Sequence, residues 1–321
     1  MPAFRYSNPL LIHWGAGSVR QLPGELERLG VTRPALLTTR SLLNSRLSIE
    51  PVVTATIGQH APIAQVDAAI DAAREAGADG VVSFGGGSPI DAAKIVTMRL
   101  GAGHIAIPTT LSVAELASGA GYTDASGTKA GLRDPKLLPD AVIYDAELTI
   151  GTPMQLWLST GIRALDHAVE GFLAEGEHPF NDVMARESIR RLFDSLPRAR
   201  ANPHDVAVRT ENQLAAWFSF TLPGASASGL SHTMGKQIGA RHGIPHGVTS
   251  CLLLPHVMRY VGQKQTLPVG AGDVEKLIAD LGLPQHISQY GIGERELRRA
   301  ASELAGKYPE EDLLKIYSAA L

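Results

Sequence analysis

Short apolar runs alternate with longer segments of helical spacing through the first half of the chain. Leu10–His13, Pro34–Thr39, Val52–Ile57, Gly80–Ser83 and Ile105–Pro108 read as short strands, with Pro34–Thr39 and Gly80–Ser83 buried. Between them, Ser18 is placed to cap a helix reaching Leu29, with Leu22, Leu26 and Leu29 on one face. Val66–Ala76 forms an alanine-rich helix, and Ile90, Ala93, Ile95 and Val96 mark another. This alternation predicts an α/β fold: a parallel sheet with helices on both faces, in which ligands bind beyond the carboxyl ends of the strands. After Ala141–Asp145 the pattern changes, and 154–174, 181–195, 205–222, 224–240, 247–261, 273–281, 294–305 and 310–321 all read as helices. A domain boundary is expected near 150, separating an α/β domain (1–150) from an all-helical domain (151–321).

Phe84-Gly-Gly-Gly-Ser-Pro-Ile-Asp91 stands between a buried strand and a helix. Ser88 suits an N-cap, Pro89 the first helical position and Asp91 the capping box. Gly85, Gly86 and Gly87 leave room for a phosphate to reach backbone N–H groups at the helix N-terminus. Thr109 and Thr110 follow the next strand, so both features fall at strand ends.

Composition narrows the function. With 321 residues and a net charge of −3, the chain can bury a sizeable core, and its scattered Lys and Arg imply neither a nucleic-acid nor a membrane partner. One cysteine, Cys251, excludes an internal disulfide and fits a reducing cytoplasm. No apolar run reaches the ~18 residues of a spanning helix.

The second half carries the chemistry-bearing side chains. Arg163 and His167 lie four apart in Gly161–Glu170, and His232 and Lys236 repeat that spacing in Gly229–Lys236. His246 follows at the start of the next helix. Three histidines from separate helices could meet in one cleft, a set that suits zinc or iron. His256 reads as an ordinary hydrogen-bonded residue, and His60, His178 and His204 as loop residues.

These stretches resemble the iron-containing alcohol dehydrogenase family, and within it the maleylacetate reductase branch. The likeness runs through Gly85–Asp91, Ile107–Glu115, Lys129–Pro135, Val142–Asp145, Gly161–Glu170 and Gly229–Tyr260. It implies the fold shared with dehydroquinate synthase-like proteins: an N-terminal dinucleotide-binding domain, a helical substrate domain, NAD(P)H as cofactor and a homodimeric assembly. It assigns Gly85, Gly86, Gly87, Ser88, Asp91, Thr109, Thr110 and Lys129 to the cofactor, with Thr39 and Arg40 where an acid usually binds the adenosine ribose. Loss of that acid makes NADPH as acceptable as NADH.

Metal-dependent members hold their ion with an aspartate and three histidines. The histidines correspond to His167, His232 and His246, but the aspartate position is Arg163, and a further histidine position is Lys236. Two added cations oppose a divalent ion, so no catalytic metal is expected. They favour a small anionic substrate instead, and Arg163 is suited to grip a carboxylate. The chain also looks shorter than relatives between Tyr260 and Asp273 and around Lys307–Pro309. The reading is a metal-independent reductase of a small carboxylated keto or enol compound. Here Arg163 anchors the substrate, His232 or Lys236 donates the proton, and His167 and His246 shape the pocket. A non-redox lyase, cyclase or isomerase, or a cofactor-binding pseudoenzyme, is the alternative.

Overall fold

A computed structural model describes residues 9, 11–45, 47–222, 229–262, 266–306 and 308–321. Leu10 of the first expected strand, 224–228 of one expected helix, and 263–265 and Lys307 of the two stretches expected to be short lie outside the described residues.

Two compact units form. One comprises the described residues up to Thr152 together with His204–Trp217; the other comprises the described residues of 153–203 and 218–321. In the first unit, β1 (Leu11–Trp14), β2 (Pro34–Thr38), β3 (Val53–Thr56), β4 (Gly80–Gly85), β5 (Gly103–Pro108) and β8 (Ala141–Tyr144) make a six-stranded sheet in the order β1-β8-β5-β4-β2-β3. Every pairing in it is parallel. Alternate side chains sort to opposite faces, as the strand period requires. Ala35, Leu37 and Val81 pack with α2 (Ile63–Glu75) and α3 (Gly87–Leu100), whereas Val82, Phe84, Ile105 and Ile107 pack with α1 (Leu22–Arg28).

From β2 the chain steps outward to β3, then returns to the other side of β2 with β4 and continues through β5 to β8. The winding therefore reverses between β2 and β4. Thr38 pairs with Phe84 and Gly85 with Pro108, which brings Thr39, Gly86 and Thr109 to one level beyond the strand ends. A ligand crevice belongs at such a reversal.

Two local expectations are corrected, both at Ser18. Ser18 starts a short 3₁₀ turn rather than the long helix; α1 begins at Leu22, with Pro23 in its first turn. The Asp145 carboxylate, not Ser18, accepts the Gly17 and Val19 N–H groups, at 3.0 and 2.9 Å. β6 (Gly119–Thr123) and β7 (Lys129–Arg133) form an antiparallel hairpin whose glycines and polar residues blur the apolar pattern in the sequence.

The second unit contains α4 (Met154–Phe172), α5 (Pro179–Ala201), α7 (Leu230–His242), α8 (His246–Gly262), α9 (Ala271–Asp280), α10 (Glu294–Leu304) and α11 (Glu310–Ala319). α4 is buried continuously from Trp157 to Gly171, so it is the unit's central helix. A Cβ on Gly247 would lie 2.7 Å from the backbone of Ser159, so only glycine lets α8 start this close to α4. α6 (Val206–Phe218) groups with the sheet unit over most of its length; Arg209, 1 % exposed, bonds the Thr149 carbonyl at 2.7 Å. No helix among the described residues is long and apolar enough to cross a membrane.

Candidate functional site

The candidate residues fall into two groups, one in each unit. In the sheet unit, α3 begins at Gly87 behind Gly86, two residues earlier than the expected Ser88 cap. Ser88 therefore sits inside the first turn, and its Oγ accepts the His60 N–H at 2.9 Å. Asp91 closes no capping box; its Oδ2 accepts the Gly121 N–H at 3.0 Å, tying α3 to β6. Pro89 causes no break, since first-turn N–H groups have no intrahelical acceptor.

No side chain caps this helix among the described residues, and Gly86, Gly87 and Ser88 are half-buried. Its first-turn N–H groups are thus available to an anion. Gly85 has φ +149° and carries Pro89 Cγ 2.7 Å from its virtual Cβ, so the turn requires glycine there. A Cβ on Gly86 would meet Thr110 Cγ2 at 3.1 Å, and one on Gly87 would meet Ser112 Oγ at 3.3 Å. Thr109 is held beside the turn by its N–H bond to the Gly85 carbonyl at 2.8 Å.

Thr39 bonds the Ser41 hydroxyl at 3.1 Å, and its Cγ2 lies 3.6 Å from the Gly85 Cβ position, while Arg40 is exposed. Lys129 opens β7, and its charge contributes to lowering the His60 pKa to about 4, after burial as the first cause.

Residues missed in the sequence support this turn. Lys94 is fully buried on α3, and its Nζ donates to the Ala114, Ala117 and Gly119 carbonyls. It fixes the loop after Thr110, where Val113 adopts φ 54°, a strained conformation for a β-branched side chain. Glu115, 1 % exposed, accepts the Tyr144 hydroxyl at 2.7 Å; burial raises its pKa. Nothing in the apolar pattern distinguishes Lys94 from a solvated helix lysine.

In the helical unit, Arg163, Asp166, His167 and Glu170 recur at intervals of three and four along α4, so they share one face. That face meets the first turns of α7 and α8. Arg163, 5 % exposed, donates through Nη1 to Asp166 Oδ2 at 3.1 Å and to Ser250 Oγ at 3.0 Å. Its Nη2 lies 3.3 Å from His232 Nε2. Ser231 and Ser250 donate to the same Asp166 oxygen at 3.0 and 2.6 Å. Burial raises the Asp166 pKa, with Arg163 and the two hydroxyls opposing it.

Glu170 accepts the Gly229 and His232 N–H groups at 2.8 and 3.0 Å, which fixes the start of α7. Burial and the Asp166 charge push its pKa well above the usual carboxylate range. His167 is 6 % exposed, with its ring centroid 5.6 Å from that of His232 and 5.0 Å from Phe220 in an edge-on contact. Lys236 is exposed one turn after His232, and His246, the first residue of α8, is half-buried.

The structure thus brings Arg163, His167 and His232 together and adds Asp166, Glu170, Ser231 and Ser250. Among the described residues, no three His, Cys, Asp or Glu side chains form a group that could hold a metal ion.

Residues 9–146 match the iron-containing alcohol dehydrogenase family, and residues 157–269 match the C-terminal region of the Fe-containing alcohol dehydrogenase family. The maleylacetate reductase of Rhizobium sp. (strain MTP-10005) is 34 % identical over 96 % of this chain and 93 % of its own. That of Sphingobium indicum is 32 % identical over 98 % and 96 %. The crystal structure of maleylacetate reductase from Agrobacterium tumefaciens superposes with a TM-score of 0.90 at 30 % identity, covering 100 % of this chain and 99 % of that one.

Proposed function

The chain belongs to the iron-containing alcohol dehydrogenase family and is an oxidoreductase; from that premise we propose a metal-independent NAD(P)H-dependent reductase of a small carboxylated keto or enol compound. The metal-free reading rests on one contact, Arg163 Nη2 at 3.3 Å from His232 Nε2. The lone pair that a metal would take faces a guanidinium N–H. A divalent cation at ~4 Å from that charge would meet a repulsion of roughly 8 kcal/mol at an effective dielectric of ~20, twice the unit-charge value. The donor set does not suit a metal.

The sheet unit suits a dinucleotide. The uncapped first turn of α3 lies at the winding reversal, and its N–H groups can take the pyrophosphate. Thr39, Arg40 and Ser41 offer hydroxyls and a positive charge where an acid would repel a 2′-phosphate, so NADPH is accepted as well as NADH. The cofactor supplies the hydride when bound.

The helical unit holds the acceptor. Arg163 keeps its Nε–H and one Nη2 hydrogen without a partner among the described residues, and these can bind a carboxylate oxygen. His232 is tied to Arg163 through Nε2, so proton delivery falls to the exposed Lys236 on the same helix or to His246. His167, packed on Phe220 and His232, forms a wall of the site.

Calorimetry of wild type and Arg163→Met across small mono- and dicarboxylates tests the substrate class. The variant is expected to lose about 1.5–3 kcal/mol of affinity, the range for a hydrogen bond to a charged group. Equal affinities would leave Arg163 a purely structural partner of Asp166.

A further inference from the structure

We propose that Asp166 is a positioning residue that orients the Arg163 guanidinium so that His232 is held as its Nδ1–H tautomer. The inference rests on the reductase reading only for the identity of the ligand that the pair serves.

Asp166 is 1 % exposed, and its Oδ2 gathers three donors: Arg163 Nη1, Ser231 Oγ and Ser250 Oγ. The Ser250 hydroxyl gives its hydrogen to Asp166 and accepts from Arg163 Nη1 at 3.0 Å. Both hydrogens of Nη1 are therefore committed. Because a guanidinium is planar, two bonds at one nitrogen fix the plane and aim the other. Nη2 is aimed at His232 Nε2, 3.3 Å away.

Arginine has donors only. The contact is attractive only when Nε2 carries a lone pair, which puts the imidazole hydrogen on Nδ1. That nitrogen is buried and has no partner among the described residues. No local group selects this tautomer at Nδ1 itself, so the selection comes from Arg163, and its direction comes from Asp166. Glu170, one turn further along α4, holds the His232 backbone N–H at 3.0 Å. Two acids on one helix face thus fix the same histidine, one through its backbone and one through its ring.

Long-range ¹H–¹⁵N correlation of the imidazoles in the full-length, ¹⁵N-histidine-labelled protein reads the tautomer directly, with His232 assigned by its disappearance in His232→Gln. Wild type should show His232 protonated at Nδ1 alone. Asp166→Ala removes the acceptor and releases the guanidinium, and should populate the Nε2–H form several-fold. Arg163→Met removes the donor and should do the same. A wild-type His232 protonated at Nε2, or at both nitrogens, overturns the proposal, as does an Asp166→Ala spectrum identical to wild type. Should Asp166→Ala not fold, Ser250→Ala, which removes the other bond that fixes Nη1, decides whether the guanidinium's anchoring sets the tautomer, and a spectrum identical to wild type there overturns the proposal as well. A dinucleotide titration on the same sample separates the two ideas: no binding there ends the reductase reading and leaves the tautomer result standing.

Discussion

The glycine turn of the sheet unit and the arginine centre of the helical unit are built on opposite principles. The turn works through backbone: small residues, an uncapped helix end and a position set by strand register. The arginine centre works through buried charged side chains, with Arg163, Asp166 and Glu170 all at most 5 % exposed. A backbone site tolerates changes around it as long as its glycines stay small. A side-chain site of this kind fails when a single member is removed, because the others are left buried without a partner.

Breaking the arginine centre should give the largest effect. Asp166→Leu leaves the Arg163 cation without its acid and is expected to cost about 3–5 kcal/mol of stability in denaturant titration. The double variant Arg163→Met/Asp166→Leu removes both charges and should regain most of that loss. If the double variant is as unstable as the single, the two sites differ less than this comparison holds.

The glycine turn should respond in the opposite way. Gly87→Val places carbon beside Ser112 Oγ, whose side chain can move, while filling the space a phosphate would use. Dinucleotide affinity should fall about a hundredfold, about 2.8 kcal/mol, with the denaturant midpoint nearly unchanged. Unchanged fluorescence titration with NADH and NADPH would remove the phosphate role from this turn.

A third effect shows only in acid, because the sheet unit buries a titratable side chain near the start of β5. His104 is 2 % exposed, bonds Ser83 Oγ through Nε2 at 2.8 Å, and has its pKa lowered to about 3 by burial and then by the Lys94 charge. The unfolded chain takes up that proton near the ordinary histidine pKa of ~6.5. The contribution is therefore intact above that pH and is lost as the pH falls towards 3, at about 1.4 kcal/mol per pH unit. His104→Gln should flatten the pH dependence of unfolding by about that slope between pH 6 and 4. An identical pH profile in the variant would show that His104 is not the group responsible.

Much of the sheet unit was legible because its signals are local. Apolar runs marked β2, β4 and β5, an apolar stretch interrupted by threonines marked β3, and adjacent glycines marked the turn before α3. The helix start lies two residues before the Ser88 signal because Gly86 enters the helix in an extended conformation that needs no side-chain oxygen. The β6–β7 hairpin gave little apolar signal, and α6 groups with the sheet although its spacing resembles that of the helices before and after it.

The amino-acid order alone determined the alternation of strands and helices, the glycine turn and the i, i+4 spacing of Arg163 with His167 and of His232 with Lys236. These follow from backbone preference and helical geometry over a few residues. Only the tertiary structure decided what Arg163 faces. Its acid, Asp166, is near in sequence, but Ser231, His232 and Ser250 arrive from two other helices, more than sixty positions away. Whether a buried cation meets an acid, a hydroxyl or an imidazole depends on which helix ends pack together, and that packing is settled by the whole core.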